Sequence, residues 1–252
     1  ALMQRKAEIG SLKFTREYLC IPVSTGTALF GQEHLENAKN KDLILKLGHR
    51  KDKGYKYYVG VDPAISTDGD YNVIVVLEVD EEKNKSIVHV DRAKNVQFRE
   101  NIDKLRLIGQ VFEPEVILYE TNTFAKAFTQ ELRAVSDLNV RDFDTTRRKK
   151  QEIILNLQMN FENNKLHLPY GDNNSRKMTQ ALLEELSMFS ITQAGKFEGV
   201  GAHDDLVMGL ALANAASQTP TEAFMLLDDM GLFDEPETPL FEQNGAMVGL
   251  NF

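Results

Sequence analysis

Three β-rich runs follow one another between residues 55 and 93, with only short polar turns between them. They read YKYYVGVDPA at 55–64, DYNVIVVLEVD at 70–80 and KSIVHVDRA at 85–93. Each run is rich in β-branched and aromatic residues, which is typical of a strand. Turns as short as DEEKNK join antiparallel neighbours, because a parallel pair needs a longer crossover. The chain is therefore predicted to begin its sheet with three antiparallel strands.

Beyond residue 93 the pattern changes to an alternation of helices and strands. Short strands are predicted for EVILYE and NVRDFD, and helical periodicity covers 99–111, 122–135, 147–162, 174–187 and 203–217. Later strands reached through helices join a sheet in parallel, by right-handed crossovers. The order β-β-β-α-β-α-β-α predicts an α/β fold with a ribonuclease H-like mixed sheet flanked by helices.

Composition and the absence of certain motifs exclude several classes of protein. The chain has 252 residues, enough to bury a sizeable core, and its single cysteine, Cys20, excludes an internal disulfide. No signal peptide, membrane span or nucleotide-binding G-x-x-x-x-G-K-[ST] loop is found. We expect a soluble intracellular chain that makes no membrane contact.

The charge is unevenly distributed. Seven acidic residues and no Lys or Arg fall in 221–252, so residues 1–220 carry only −2 of the net charge of −9. Composition divides the chain into an irregular lead-in at 1–53, a folded core at 54–217 and an acidic tail at 218–252. The tail is expected to dock on a partner.

Acidic residues stand at three ends of the predicted elements. Asp62 closes the first strand and Glu120 closes the fourth, while Asp204 and Asp205 open the last, largely apolar helix. If the two strands are parallel neighbours, their carboxyl ends meet at one edge of the sheet, where open sheets bind ligands. The helix would bring a third carboxylate to the same edge.

Carboxylates gathered in this way repel one another and need a counter-charge. Two divalent metal ions, Mg²⁺ or Mn²⁺, would supply it and could activate a water against a phosphodiester. Asp62 would bridge both ions, and Glu120 and either Asp204 or Asp205 would complete the coordination. Each acid alone also fits a structural role as turn former, first-turn acid or helix cap. Their coincidence at one edge favours a catalytic site.

Other polar residues near these motifs have two interpretations. Asp70, in the loop STDGDYN, is either part of an Asx turn or an additional metal ligand. His203 is a spacer or an accessory group beside the acid pair. The run TTRRKKQ is either a solvated face or a patch that binds DNA phosphates through Arg147, Arg148, Lys149 and Lys150.

These motifs together resemble the nuclease domain of bacteriophage large terminase subunits. VGVDPA, LYETN and AHDDLV stand where that family has its three acidic motifs, and the lead-in FTREYLCIPVSTGTALF is similar to the family's junction between ATPase and nuclease domains. The resemblance covers most of the chain. It implies Asp62, Glu120 and Asp204 as metal ligands, with Asp205 and His203 close by.

The resemblance also implies a function. It predicts a metal-dependent endodeoxyribonuclease that cuts concatemeric double-stranded viral DNA at the start and end of capsid filling, in the host cytoplasm. The expected partners are the ATPase domain of the same polypeptide, the portal protein and the small terminase subunit. Two alternatives stay open: a Holliday-junction resolvase or transposase-like nuclease on the same fold, and a non-catalytic portal-docking module.

Overall fold

The computed structural model describes residues 2–11, 14, 18, 28–45, 54–63, 71–121, 125–191, 197–199 and 203–218. The strands and helices predicted between residues 55 and 217 are present, and three short strands that were not predicted, Leu166–Pro169, Phe189–Ile191 and Phe197–Gly199, lie among them. The helices with described bounds are α1 (Leu2–Ile9), α2 (Gln32–Asn37), α3 (Phe98–Phe112), α4 (Ala125–Val135), α5 (Arg147–Glu162), α6 (Asn173–Met188) and α7 (Asp205–Ala216). The strands are β1 (Lys39–Asn40), β2 (Lys56–Asp62), β3 (Asn72–Val79), β4 (Lys85–Ala93), β5 (Val116–Thr121), β6 (Val140–Asp144), β7 (Leu166–Pro169), β8 (Phe189–Ile191) and β9 (Phe197–Gly199).

Seven of these strands form one mixed sheet in the order β1-β7-β4-β3-β2-β5-β6. The pairs β2·β3 and β3·β4 are antiparallel, whereas β5 and β6 on one side and β7 and β1 on the other join in parallel. The ribonuclease H-like mixed sheet predicted from the sequence is confirmed. β8 and β9 pair with each other in a separate antiparallel hairpin.

Helices cover both faces of the sheet because its central strands are apolar on both sides. On one face Val73, Val75 and Leu77 of β3 pack with α5, α6 and α7. On the other face Ile74 and Val76 pack with α3 and α4. This two-sided burial explains why β3 is apolar along nearly its whole length instead of alternating.

Helix α7 lies unusually close to β2, at Gly60. A Cβ added to Gly60 would stand 2.2 Å from both the Ala213 nitrogen and the Gly209 oxygen of the helix backbone. Only glycine fits at this contact. The contact fixes how closely the start of α7 approaches the end of β2, two residues beyond Gly60.

We therefore expect Gly60→Ala to destabilise the fold by about 3 kcal/mol or more, since helix backbone cannot move aside as a flexible side chain can. Chemical unfolding followed by circular dichroism measures this change. Gly109→Ala is the matched control, because its new Cβ would meet only the end of the Leu138 side chain. Equal effects of the two substitutions would contradict the packing described for α7.

Part of the predicted lead-in contributes to this structure. Leu29, Phe30 and Leu35 are buried in the cluster beneath α5 and α7, and β1 extends the sheet beside β7. The acidic tail after Gln218 lies outside the described residues. Among the helices described here, none is both long and apolar enough to cross a membrane.

Candidate active site

Asp62 and Glu120 lie side by side at the carboxyl ends of two parallel strands. The registered pairs between β2 and β5 end at Val61 and Tyr119, one residue before each acid. The two carboxyls lie close enough for Glu120 to contribute to the raised pKa of Asp62. The predicted meeting of these acids at one edge of the sheet is therefore observed.

Asp204 and Asp205 reach the same edge from the start of α7. Asp204 occupies the N-cap position, yet its side chain accepts no capping hydrogen bond, and Asp205 is the first residue of the helix. Both carboxylates lie close enough to Asp62 to affect its ionisation. The structure thus brings all four predicted acids into one neighbourhood.

The pKa of Asp62 is raised well above the usual value of an aspartate. Burial is the largest cause, although the residue as a whole is only partly buried by surface area, and the charges of Glu120, Asp205 and Asp204 follow in that order. The pKa of Tyr119 is also raised, first by burial and then by the negative charge of Asp62. The edge is a pocket of concentrated negative potential, which favours binding of a cation.

The carboxylates of α7 are turned toward other partners. Asp204 Oδ2 lies 3.0 Å from Lys150 Nζ. Asp205 Oδ2 accepts a hydrogen bond from the Tyr71 backbone nitrogen at 3.3 Å and lies 3.4 Å from His203 Nδ1, a buried atom whose contact lacks hydrogen-bond geometry. The His203 ring packs edge-on against Tyr71, with ring centroids 5.1 Å apart. Asp204 is thus held by Lys150, whereas Asp205 is held by the Tyr71 backbone and lies beside His203.

Because of these contacts the four acids lie near one another without converging on one point. In the described part of the chain, no three His, Cys, Asp or Glu side chains are arranged as a group that could hold a metal ion. The donor chemistry nevertheless fits a hard divalent cation, since every candidate ligand is a carboxylate oxygen. The further candidate Asp70 lies outside the described residues.

The basic run forms the first turn of α5 and begins beside this site. Thr146 caps the helix by accepting a hydrogen bond from the Lys149 nitrogen at 3.3 Å. Lys150 reaches the acids directly, as described above. Lys149 Nζ lies 5.6 Å from the centre of the Phe143 ring, and Arg147 and Arg148 precede it on the same turn. Lys150 is therefore a neighbour of the acids, and the other three cations share its turn of α5.

Comparison with solved structures finds the same fold in other proteins. The nuclease of the large terminase from thermophilic phage G20c superposes with a TM-score of 0.60 at 21% identity, over 76% of this chain and 99% of that one. The Thermus phage P74-26 large terminase nuclease domain gives 0.53 at 21%, over 74% and 94%. The chain has the fold of a phage large-terminase nuclease domain.

A whole large terminase shows how this fold relates to a larger protein. The HK97 bacteriophage large terminase matches with a TM-score of 0.56 at 12% identity, over 86% of this chain and 49% of that one. The G20c terminase nuclease has also been solved with magnesium, cobalt and zinc bound. No protein-family model matches the sequence, and no curated protein matches it either. The terminase-nuclease likeness is thus a likeness of fold.

Three residues of this terminase-like nuclease fold surround the acid pair and were not predicted. Glu185 of α6 accepts hydrogen bonds from the Leu206 and Val207 nitrogens and is paired with Arg92, which lies over the Tyr71 ring. Burial raises the pKa of Glu185, against the opposing effect of Arg92. A signal was present in the sequence, because helical periodicity puts Glu185, but not Glu184, on the apolar face with Leu182 and Leu186.

Proposed function

We propose that this chain is a metal-dependent endonuclease that cuts double-stranded DNA during packaging of a phage genome. Asp62 carries the proposal: it is a carboxyl with a raised pKa, facing three further carboxylates on a fold shared with terminase nucleases. Repulsion among these carboxylates destabilises the folded protein, so it has no purpose at a site that is only structural. Packing alone would be served better by neutral residues at this edge.

The four acids would hold the metal. Asp62, at the centre of the group, would hold two divalent ions together with Glu120 and with Asp204 or Asp205. Asp70 would be an additional ligand. The bound ions would activate the attacking water and stabilise the leaving oxygen of the phosphodiester. The magnesium, cobalt and zinc bound by the G20c nuclease support a divalent ion in this role.

The basic run would bind the substrate. A site made of carboxylates repels DNA, so cations beside it are needed to hold the phosphate backbone. Arg147, Arg148 and Lys149 would contact phosphates on the side of the sheet where α5 begins. Lys150 would limit the repulsion around Asp204 and face the phosphate that approaches the acids. His203 would support Asp205 from its other side.

The proposed role sets the partners and the place of action. The DNA would be a viral concatemer, cut at the start and end of capsid filling in the host cytoplasm. An ATPase domain of the same polypeptide would drive packaging, and the small terminase subunit would help to select the DNA. The acidic segment 218–252 would reach the portal protein.

Metal binding is the first experiment. We expect Mn²⁺ at about 100 times its dissociation constant to stabilise the protein by about 2.7 kcal/mol, since ligands that bind only the native state raise its stability. This corresponds to a rise of about 5–10 °C in the melting temperature. Differential scanning fluorimetry in Mn²⁺, in Mg²⁺ and in EDTA measures it.

Two substitutions at opposite ends of β5 make this test specific. Glu120→Gln should remove most of the metal-induced stabilisation, while Glu115→Gln, an exposed glutamate just before the same strand, should leave it unchanged. A wild-type melting temperature that does not respond to either metal would favour the portal-docking module over the nuclease.

A further inference from the structure

We propose that Glu185 positions Asp204 for metal binding by capping α7 in its place. The inference rests on the proposed function, since it concerns the metal affinity of that site. Glu185 itself would not touch the metal or the DNA. It would act by accepting the capping hydrogen bonds of α7, so that the carboxylate of Asp204 is not turned back onto its own helix.

The start of a helix has backbone N–H groups that need acceptors from outside the helix. An aspartate at the N-cap normally accepts from the second or third of the residues that follow it. In α7 these donors are Leu206 and Val207, and both donate instead to Glu185 Oε2, at 2.8 Å and 3.4 Å. Asp204 accepts no capping bond and reaches Lys150. Glu185 therefore does the capping that Asp204 would otherwise do.

Glu185 is itself fixed by a second contact. Its Oε1 accepts a hydrogen bond from Arg92 Nη2 at 2.8 Å, and its side chain is only 8% exposed. The positive charge of Arg92 offsets the cost of burying the Glu185 carboxylate. Arg92 is held in turn, because its guanidinium lies 4.0 Å from the centre of the Tyr71 ring.

The contacts of Glu185 continue through Arg92 and Tyr71 to Asp205. The Tyr71 nitrogen donates to Asp205 Oδ2, and the Tyr71 ring packs against His203. Asp205 is thus reached by a network that runs from Glu185 of α6 through Arg92 of β4 to Tyr71, the residue before β3. Without Glu185, two N–H groups at the start of α7 would lose their acceptor, and the nearest replacement is the carboxylate of Asp204. Asp204 would then turn toward its own helix and away from Asp62.

The test is the affinity for Mn²⁺ alone, measured by calorimetric titration of the whole chain. Supporting residues around metal ligands typically contribute 10- to 100-fold to metal affinity. We expect Glu185→Ala to weaken Mn²⁺ binding at least about tenfold, within that range. Glu185→Gln, which keeps one acceptor oxygen and the shape of the side chain, should weaken it less. Glu184→Ala, the exposed neighbour on the same helix, is the matched control and should bind as the wild type does.

A double-mutant cycle separates positioning from a general loss of stability. If Glu185 acts through Asp204, Glu185→Gln should have no effect on the remaining metal affinity in an Asp204→Asn background. The same loss in both backgrounds would overturn the proposal, as would wild-type affinity in Glu185→Gln and Glu185→Ala. Should Glu185→Ala fail to fold, the Glu185→Gln cycle gives the answer. A wild-type chain that binds no Mn²⁺ would overturn the proposed function itself, and this inference with it.

Discussion

Asp62→Asn is expected to abolish DNA cleavage while making the metal-free protein more stable. Loss of the central ligand should slow cleavage by at least about 1000-fold, which corresponds to about 4 kcal/mol of transition-state stabilisation. The gain in stability has a separate cause. The buried carboxylate is repelled by Glu120, Asp204 and Asp205, and the neutral amide removes that repulsion.

The sign of the stability effect follows from the raised pKa of Asp62. The folded protein holds this proton more tightly than the unfolded chain does, so the free energy of unfolding falls as pH rises from the ordinary aspartate pKa through the folded one. Above that range the wild type carries the full penalty and Asp62→Asn carries none. Near neutral pH in EDTA the variant should therefore melt at a higher temperature, by about 2–4 °C for each 1 kcal/mol relieved.

Cleavage of plasmid DNA and thermal melting in EDTA measure the two effects on the same preparation. Asp103→Asn is the control, because Asp103 is an exposed residue of α3 whose side chain is 66% accessible. It should change neither activity nor stability. An Asp62→Asn variant that melts below the wild type at neutral pH would contradict the electrostatic description of the site.

Replacing the four cations at 147–150 with alanine should have the largest effect on DNA binding. Each phosphate contact contributes about 0.9 to the slope of log affinity against log salt concentration. We expect the slope to fall by about 3, with at least a tenfold loss of affinity at about 0.1 M salt. The slope should fall by less than the loss of four phosphate contacts would give, because Lys150 is already paired with Asp204.

Fluorescence anisotropy of a labelled duplex in EDTA, over a range of NaCl concentrations, measures this slope. A charge-matched control replaces four cations away from the acids with alanine, namely Lys6, Lys56, Lys83 and Arg106. The control should keep a slope close to that of the wild type. Equal slopes for the two quadruple variants would show that residues 147–150 do not form a specific DNA-binding patch and are only the solvated start of a helix.

The long strands and their acids were predictable from the sequence because their signals are local. β2 and β3 are runs of β-branched and aromatic residues, and Asp62 and Glu120 stand where two such runs end. The short strands gave no comparable signal. β7 has four residues and ends in Pro169, and β1 has two, so each is a strand only because a neighbouring strand pairs with it.

The orientation of the acid pair could not be predicted, because it depends on residues far away in the chain. The sequence allowed Asp204 either to cap its own helix or to bind metal, whereas Glu185 of α6 does the capping in the folded protein. The partner of Asp204 is Lys150, 54 residues before it. Neither contact has a sequence spacing that identifies it, since both exist only once α5, α6 and α7 pack together on the sheet.

The most direct test of the nuclease is the conversion of supercoiled plasmid by the purified chain in Mn²⁺, in Mg²⁺ and in EDTA. We predict nicked and linear DNA with a divalent metal and intact supercoiled DNA in EDTA, with Asp62→Asn inactive under every condition. Cleavage that persists in EDTA, or in Asp62→Asn, would contradict a metal-dependent site built on Asp62.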